Sequence, residues 1–243
     1  MEEIFKYIGR KAGQKFRRGK WVYKSLLGSE EEAIQAEYYI GKEISAEIRK
    51  QNTVDPNPEI KEMLDKIGNK LTARLTNKYR KFSFDSLVTS DVNAFALPGG
   101  FIFATSSILK LCDFNENEIA FILGHEIGHV VKWHIFNRTI ANSSLNFLSM
   151  VTKPAGLLSS VAVRAINSLM QNSYSRDQEL EADNFGTKLM YAAGFDPDSA
   201  VALLEKLDET RTENPAIFNY FSTHPVVNDR IGQIKILIRK RLK

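Results

Sequence analysis

The stretch Asn117–Arg138, NEIAFILGHEIGHVVKWHIFNR, constrains this chain more than any other. It sets His125-Glu126-Ile127-Gly128-His129, an H-E-x-x-H pattern, inside an apolar run of helical length. Successive residues of an α-helix turn by about 100°, so positions four apart differ by only about 40° and share a face. His125 and His129 therefore stack two imidazoles one turn apart, a spacing that can reach a single Zn²⁺ at about 2.0–2.1 Å. Glu126, one step round, can hold a water on the metal and take its proton. Ile119, Phe121, Ile122 and Leu123 make the run apolar nearly all round, which predicts a buried helix. A helix with two hydrogen-bonded core histidines would read the same way, so other residues must decide.

A catalytic zinc needs a third protein ligand and one open position. On a continued helix His134 stands about 140° from His129 and about 180° from His125, so it is expected to face elsewhere as a structural or surface histidine. Ile135 fills the position ten residues after His125, where another common pattern would have a histidine. The better source is Ser175-Arg-Asp-Gln-Glu-Leu-Glu-Ala-Asp183, which opens a second amphipathic helix. Glu179 and Asp183 are four apart and share a face, whereas Glu181 is about 200° from Glu179 and points away. One of the pair can bind zinc while the other accepts the free N–H of a ligand histidine. Alone, the same residues describe a solvated acidic helix face.

The remaining chain reads as helices around a small sheet. Ser29-Glu-Glu-Glu resembles a capping box opening a helix to about Arg49, with Ile34, Tyr38, Ile44 and Ile48 inward. Pro56 and Pro58 break it, and a second amphipathic helix is expected over Pro58–Tyr79. The period then changes. Phe82–Val88, Ala94–Leu97 and Phe101–Ala104 read as strands, the last two joined by a Pro98-Gly99-Gly100 turn. The expected fold is α+β, mostly helical, with a small antiparallel sheet whose edge strand borders the H-E-x-x-H helix. Asn93, Ala94 and Phe95 are the candidate substrate-binding edge, since an extended peptide can be held as an added strand; an ordinary hairpin is the alternative.

Charge and cysteine usage narrow the partners. Residues 1–27 hold eight Lys/Arg against two Glu, and residues 230–243 hold six Lys/Arg and no acid, while the whole chain is only +4. An acidic body with basic ends is not a nucleic-acid stripe, and no nucleic-acid partner is expected. Ile4, Phe5, Ile8, Phe16 and Trp21 among the N-terminal charges suit peripheral contact with an anionic membrane as well as a solvated helix. The single cysteine, Cys112, excludes an internal disulfide and a cysteine zinc knuckle. No run of 18 apolar residues and no signal-peptide hydrophobic region appear in the chain as given. Localisation is therefore expected to be cytoplasmic or peripheral to a membrane, or periplasmic if a signal segment has been removed.

Taken in order, His125-Glu126-x-x-His129, Ser175-Arg176-x-x-Glu179-x-x-Ala182-Asp183 and Ser222-Thr-His224-Pro225-x-x-x-x-Arg230 resemble the three blocks of metallopeptidase family forty-eight, the gluzincins with HtpX-like, Oma-type, BepA-like and CAAX prenyl members. Asn93–Gly100 resembles the family's edge strand, and Gly28–Glu43 is similar to its N-terminal helix; the likeness covers about Gly28 to Ile236. It implies one Zn²⁺ per chain held by His125, His129 and Glu179, with Glu126 as general base. It also implies a supporting role for Asp183, and for His224 either closure of the open metal position or a hydrogen bond to the oxyanion, a loop histidine before a helix-starting proline being the alternative. Arg230 is expected to anchor the His224 loop through an acidic partner. The division implied is a basic amphipathic segment, 1–27, and a metallopeptidase domain, 28–243. Unlike HtpX-like and CAAX-type members the chain shows no transmembrane helix, and residues 145–170, interrupted by Lys153, Pro154 and Arg164, are expected to form two short amphipathic helices over the cleft. The expected function is zinc-dependent endopeptidase action on extended or misfolded polypeptide segments, latent or gated. A non-catalytic or dual-role chaperone or assembly factor that clamps extended chains is the alternative.

Overall fold

Helix α1 (Glu30–Gln51) begins on the expected cap: Ser29 Oγ accepts the Glu32 N–H at 3.3 Å, and Glu32 Oε2 accepts the Ser29 N–H at 3.3 Å. The computed structural model describes residues 29–135, 173–211, 215–225 and 227–240. The basic segment 1–27 and the two short helices expected within 145–170 lie outside the described residues.

Helix α2 (Pro58–Thr72) starts with Asn57 as cap and Pro58 in its first turn, buries Leu64, Ile67 and Leu71, and stops seven residues short of the expected Tyr79. Its end tightens into three-residue turns, Arg74 N–H to Leu71 O and Leu75 N–H to Thr72 O, ahead of Thr76 and Asn77, which favour local side-chain hydrogen bonds over helix. Leu75 stays buried, which is why the apolar period runs on past the helix.

The sheet has the order β1-β3-β2, built from β1 (Ser83–Leu87), β2 (Ala94–Leu97) and β3 (Phe101–Thr105). It corrects the expectation of an antiparallel sheet. β2 and β3 form the expected hairpin with Phe95 opposite Phe103, but β1 pairs parallel to β3, Phe84 opposite Ile102. Strands reverse direction in succession, and β1 skips its sequence neighbour to lie beside the strand two on. The hairpin turn needs its glycines: Gly99 and Gly100 have φ of 79° and 90°, and a Cβ on Gly99 would meet the Tyr38 backbone of α1 at 2.4 Å.

A short α3 (Ser106–Leu111) leads to the H-E-x-x-H helix, α4 (Glu116–Val131), which Asn115 caps by accepting from the N–H groups of Asn117 and Glu118. As its all-round apolar pattern predicts, α4 is buried from Glu118 to Val130. It packs against β2, α2, α5 (Arg176–Ala192) and α6 (Asp198–Thr210). Beyond a 3₁₀ turn (Pro215–Ile217), α7 (Phe218–Thr223) and α8 (Val227–Arg239) close the far side, with α8 against α5 and α6. Among the described residues no helix is long and apolar enough to cross a membrane.

Candidate metal centre

Two small-residue ladders bring the histidine helix and the carboxylate helix together. Gly124 and Gly128 on α4 face Ala182 and Gly186 on α5. A Cβ on Gly186 would lie 2.7 Å from the His125 backbone nitrogen, and one on Gly128 would lie 3.1 Å from Ala182 O. The helices can touch backbone to backbone only because these side chains are absent. Helix α5 is itself fixed at its start by the Ser175–Gln178 capping box, one turn before Glu179.

That crossing converges His125, His129, Glu179 and His224, all buried, with one potential ligand atom from each lying within 4.8 Å of the others. His129 Nε2 stands 3.0 Å from His125 Nε2 and 3.2 Å from Glu179 Oε1, and His125 Nε2 is 3.8 Å from Glu179 Oε2. Donors held at about 2.0–2.1 Å round a tetrahedral ion would stand about 3.4 Å apart, within the observed spread. The donor chemistry agrees. His125 Nδ1 lies 2.8 Å from Asp183 Oδ1, and since a carboxylate only accepts, the neutral ring keeps its proton there and turns the Nε2 lone pair into the cluster. Two imidazoles and a carboxylate with that orientation fit a divalent cation.

The charges behind the cluster are paired. Arg230, fully buried, donates from Nε to Asp183 Oδ2 at 2.7 Å and from Nη2 to Oδ1 at 2.8 Å. Its Nη1 lies 2.8 Å from Glu179 Oε2 without hydrogen-bond alignment, so that oxygen keeps a lone pair unused. Burial alone would raise the Glu179 and Asp183 carboxyls; His224 and Arg230 hold the first well below the usual carboxylate range, and Arg230 and His125 hold the second below it. Burial would likewise lower His125, but Glu179 and Asp183 raise it, whereas burial dominates at His129 and keeps that ring neutral. The cluster is thus built to receive positive charge between its imidazoles.

His224 and Glu126 share the open side. His224, at the C-terminal end of α7, places Nδ1 3.0 Å from Glu179 Oε1 and 3.3 Å from His125 Nε2, and Nε2 3.6 Å from Glu126 Oε1. Arg230 reaches His224 through an acidic partner: its Nη1 lies 2.8 Å from Glu179 Oε2, and the other oxygen of that carboxylate lies 3.0 Å from His224 Nδ1. Asn93 is buried with Oδ1 lacking a hydrogen-bond partner, and its backbone is tied to Thr105 through N–H to Oγ1 at 3.0 Å. Ala94 and Phe95 open β2, which among the described residues has a strand neighbour on one side only. Phe95 stacks on Phe103 with ring centroids 5.3 Å apart.

His134 departs from its expected place. Helix α4 ends at Val131, and Trp133 takes a left-handed φ of 61°, so the chain folds back instead of turning on by another 140°. His134 is consequently buried against the ligand cluster, its Nδ1 3.0 Å from His129 Nδ1. Glu181 does point away from the cluster, as expected, but it reaches His134 Nε2 at 3.2 Å.

Residues 58–238 match the model of Peptidase family M48. The chain belongs to that family. It is 26% identical over 227 residues to the beta-barrel assembly-enhancing protease of Yersinia pestis, an alignment covering 87% of this chain and 44% of that protein. It is 34% identical over 146 residues to the mitochondrial metalloendopeptidase OMA1 of Schizosaccharomyces pombe, covering 59% of this chain and 42% of that one. The Arabidopsis thaliana protein of the same name is 32% identical over 156 residues, covering 62% of this chain and 30% of its own length. The chain therefore spans less than half the length of these curated relatives.

Sequence reasoning missed two aromatic walls of this M48 site. Tyr174 stacks on His129 with ring centroids 3.7 Å apart, and Tyr220 lies 5.1 Å from His224. Tyr174 was within reach, since it directly precedes the Ser175 cap of the carboxylate helix. No signal in the sequence points to Tyr220.

Proposed function

We propose that this chain is a zinc-dependent endopeptidase in which His125, His129 and Glu179 hold the metal and Glu126 is the general base. The observation that carries the reading is the convergence of two imidazole nitrogens and one carboxylate oxygen from two helices beside a buried Glu126. Two histidines and one glutamate with a further position to spare is a zinc donor set of the catalytic kind. Bound there, zinc would supply Lewis acidity toward a scissile carbonyl and lower the pKa of a water. Glu126 then takes the proton of the attacking water and delivers it to the leaving amine. The open side of β2, with Asn93, Ala94 and Phe95, holds an extended substrate segment as an added strand. Asp183 orients His125, and Arg230 keeps Asp183 ionised and, with His224, Glu179.

Replacing Glu126 by glutamine tests the mechanism, because the amide hydrogen-bonds water but is a very poor base. Glu126→Gln is expected to keep its zinc and lose digestion of a casein-type substrate; cleavage at the wild-type rate would refute the assignment. A metal-loaded wild type that binds unfolded chains without cleaving them would favour the chaperone or assembly reading.

His224 supports a latent form of this activity. Its ring lies among the metal-facing atoms and beside Glu126, where it closes the fourth position until the ring moves aside. His224→Ala is then expected to raise basal cleavage. Were His224 instead a donor to the oxyanion, the same change would lower kcat by roughly 10²-fold or more.

A further inference from the structure

We infer that His134, with Glu181 behind it, is a positioning residue that fixes the tautomer and ring orientation of His129 and thereby tightens metal binding. The inference rests on the proposed ligation by His125, His129 and Glu179.

The proton inventory leaves little freedom. Glu181 Oε1 is paired with Lys132 Nζ at 2.7 Å, and a carboxylate in such a pair only accepts. A neutral His134 ring facing that acceptor carries its proton on Nε2, 3.2 Å from Glu181 Oε2. His134 Nδ1 is left as an acceptor, and at 3.0 Å it can be satisfied only by an N–H on His129 Nδ1. A neutral imidazole carries a single N–H, so His129 Nε2 must present its lone pair to the cluster. The chain Glu181–His134–His129 thus performs for one histidine what Asp183 performs directly for the other.

The fold maintains this contact at some expense. Trp133, a bulky residue with φ of 61°, turns the backbone so that His134 returns to His129. The Trp133 ring is covered by the Arg80 guanidinium at 4.5 Å, and Arg80 is ion-paired to Glu37 of α1, with both side chains buried. On its other face His129 is stacked by Tyr174. A histidine placed by an unfavourable backbone turn, a cation over its neighbour and a buried ion pair is more than core filling.

The test is zinc affinity of the full chain, measured by competition with a chromophoric chelator. Visible spectra of the Co²⁺-substituted protein and thermal unfolding of the metal-free protein accompany it. His134→Phe keeps a ring but removes the acceptor, and is expected to weaken zinc binding by about 10–100-fold, the scale for lost outer contacts of a metal ligand. The Co²⁺ spectrum should change while metal-free unfolding does not. His134→Gln restores an acceptor and should recover most of the affinity, which a purely structural role would not predict. A folded His134→Phe with wild-type zinc affinity overturns the inference. Should that variant fail to fold, Glu181→Ala, at a half-exposed side chain, decides instead: a loss of about threefold or more supports the relay, and unchanged affinity overturns it. His129→Ala separates the two ideas. If it binds zinc as the wild type does, the ligand assignment itself has failed; if it loses zinc while His134→Phe does not, only the relay has.

Discussion

The two histidines of α4 are backed in opposite ways. Behind His125 stand Asp183 and Arg230, both buried, the carboxylate gripped by two guanidinium nitrogens. Behind His129 stand His134, a neutral ring, and Glu181, whose side chain is 48% exposed and shared with the partly exposed Lys132. The first support is a charged pair sealed in protein, and the second is an imidazole leading to a charge at the surface. Buried ion pairs are costly to break because the remaining partner stays charged and desolvated. Exposed ones contribute little, since water and salt screen them. The comparison teaches that the Asp183 side should couple the metal site to the stability of the whole fold, while the Glu181 side should tune the site almost alone.

The largest expected effect lies on the buried side. Asp183→Ala leaves Glu179 as the one carboxylate beside Arg230 among the described residues and strips His125 Nδ1 of its acceptor, and should cost about 3 kcal/mol or more in urea unfolding of the metal-free protein. A loss below about 1 kcal/mol would erase the distinction between the two sides.

Acid should expose the same asymmetry. The Asp183 carboxyl sits below its usual range because Arg230 and His125 outweigh its burial. Its contribution to stability is full above the unfolded value of about 3.9 and is lost as pH falls through the lower folded value. Metal-free wild type should therefore lose stability on that acid limb, and Asp183→Asn should flatten it. Glu181 is also depressed, first by its hydrogen bond with Lys132, yet its exposure makes its share small. A limb that flattens equally in Glu181→Gln would contradict the comparison.

The smallest effect is the most specific. Glu181→Ala should change metal-free stability by less than about 1 kcal/mol, the range for an exposed ion pair, when measured by the same urea titration.

Much of this arrangement could be read from residue spacing. The cap at Ser29, the hairpin at Pro98–Gly100, the apolar girth of α4 and the shared face of Glu179 and Asp183 are local patterns, and local patterns survive into the fold. Pairing of β1 with β3 was not legible, because strand spacing does not say which neighbour a strand chooses. The place of His134 was misread for a sharper reason. Angular arithmetic holds only while the helix continues, and Trp133 leaves it with a positive φ that no glycine or asparagine announces. Arg80, which lies over the Trp133 ring, and its partner Glu37 are far off in sequence.

The most direct test of the account counts metal in three proteins side by side. Elemental analysis of wild type, Glu179→Ala and Glu181→Ala, each saturated with zinc and freed of excess by gel filtration, distinguishes the carboxylate assigned to the metal from the one assigned to the relay. About one zinc is expected in the wild type, most of it retained in Glu181→Ala, and little in Glu179→Ala. Equal zinc in Glu179→Ala and wild type, or equal loss from both variants, would contradict that assignment.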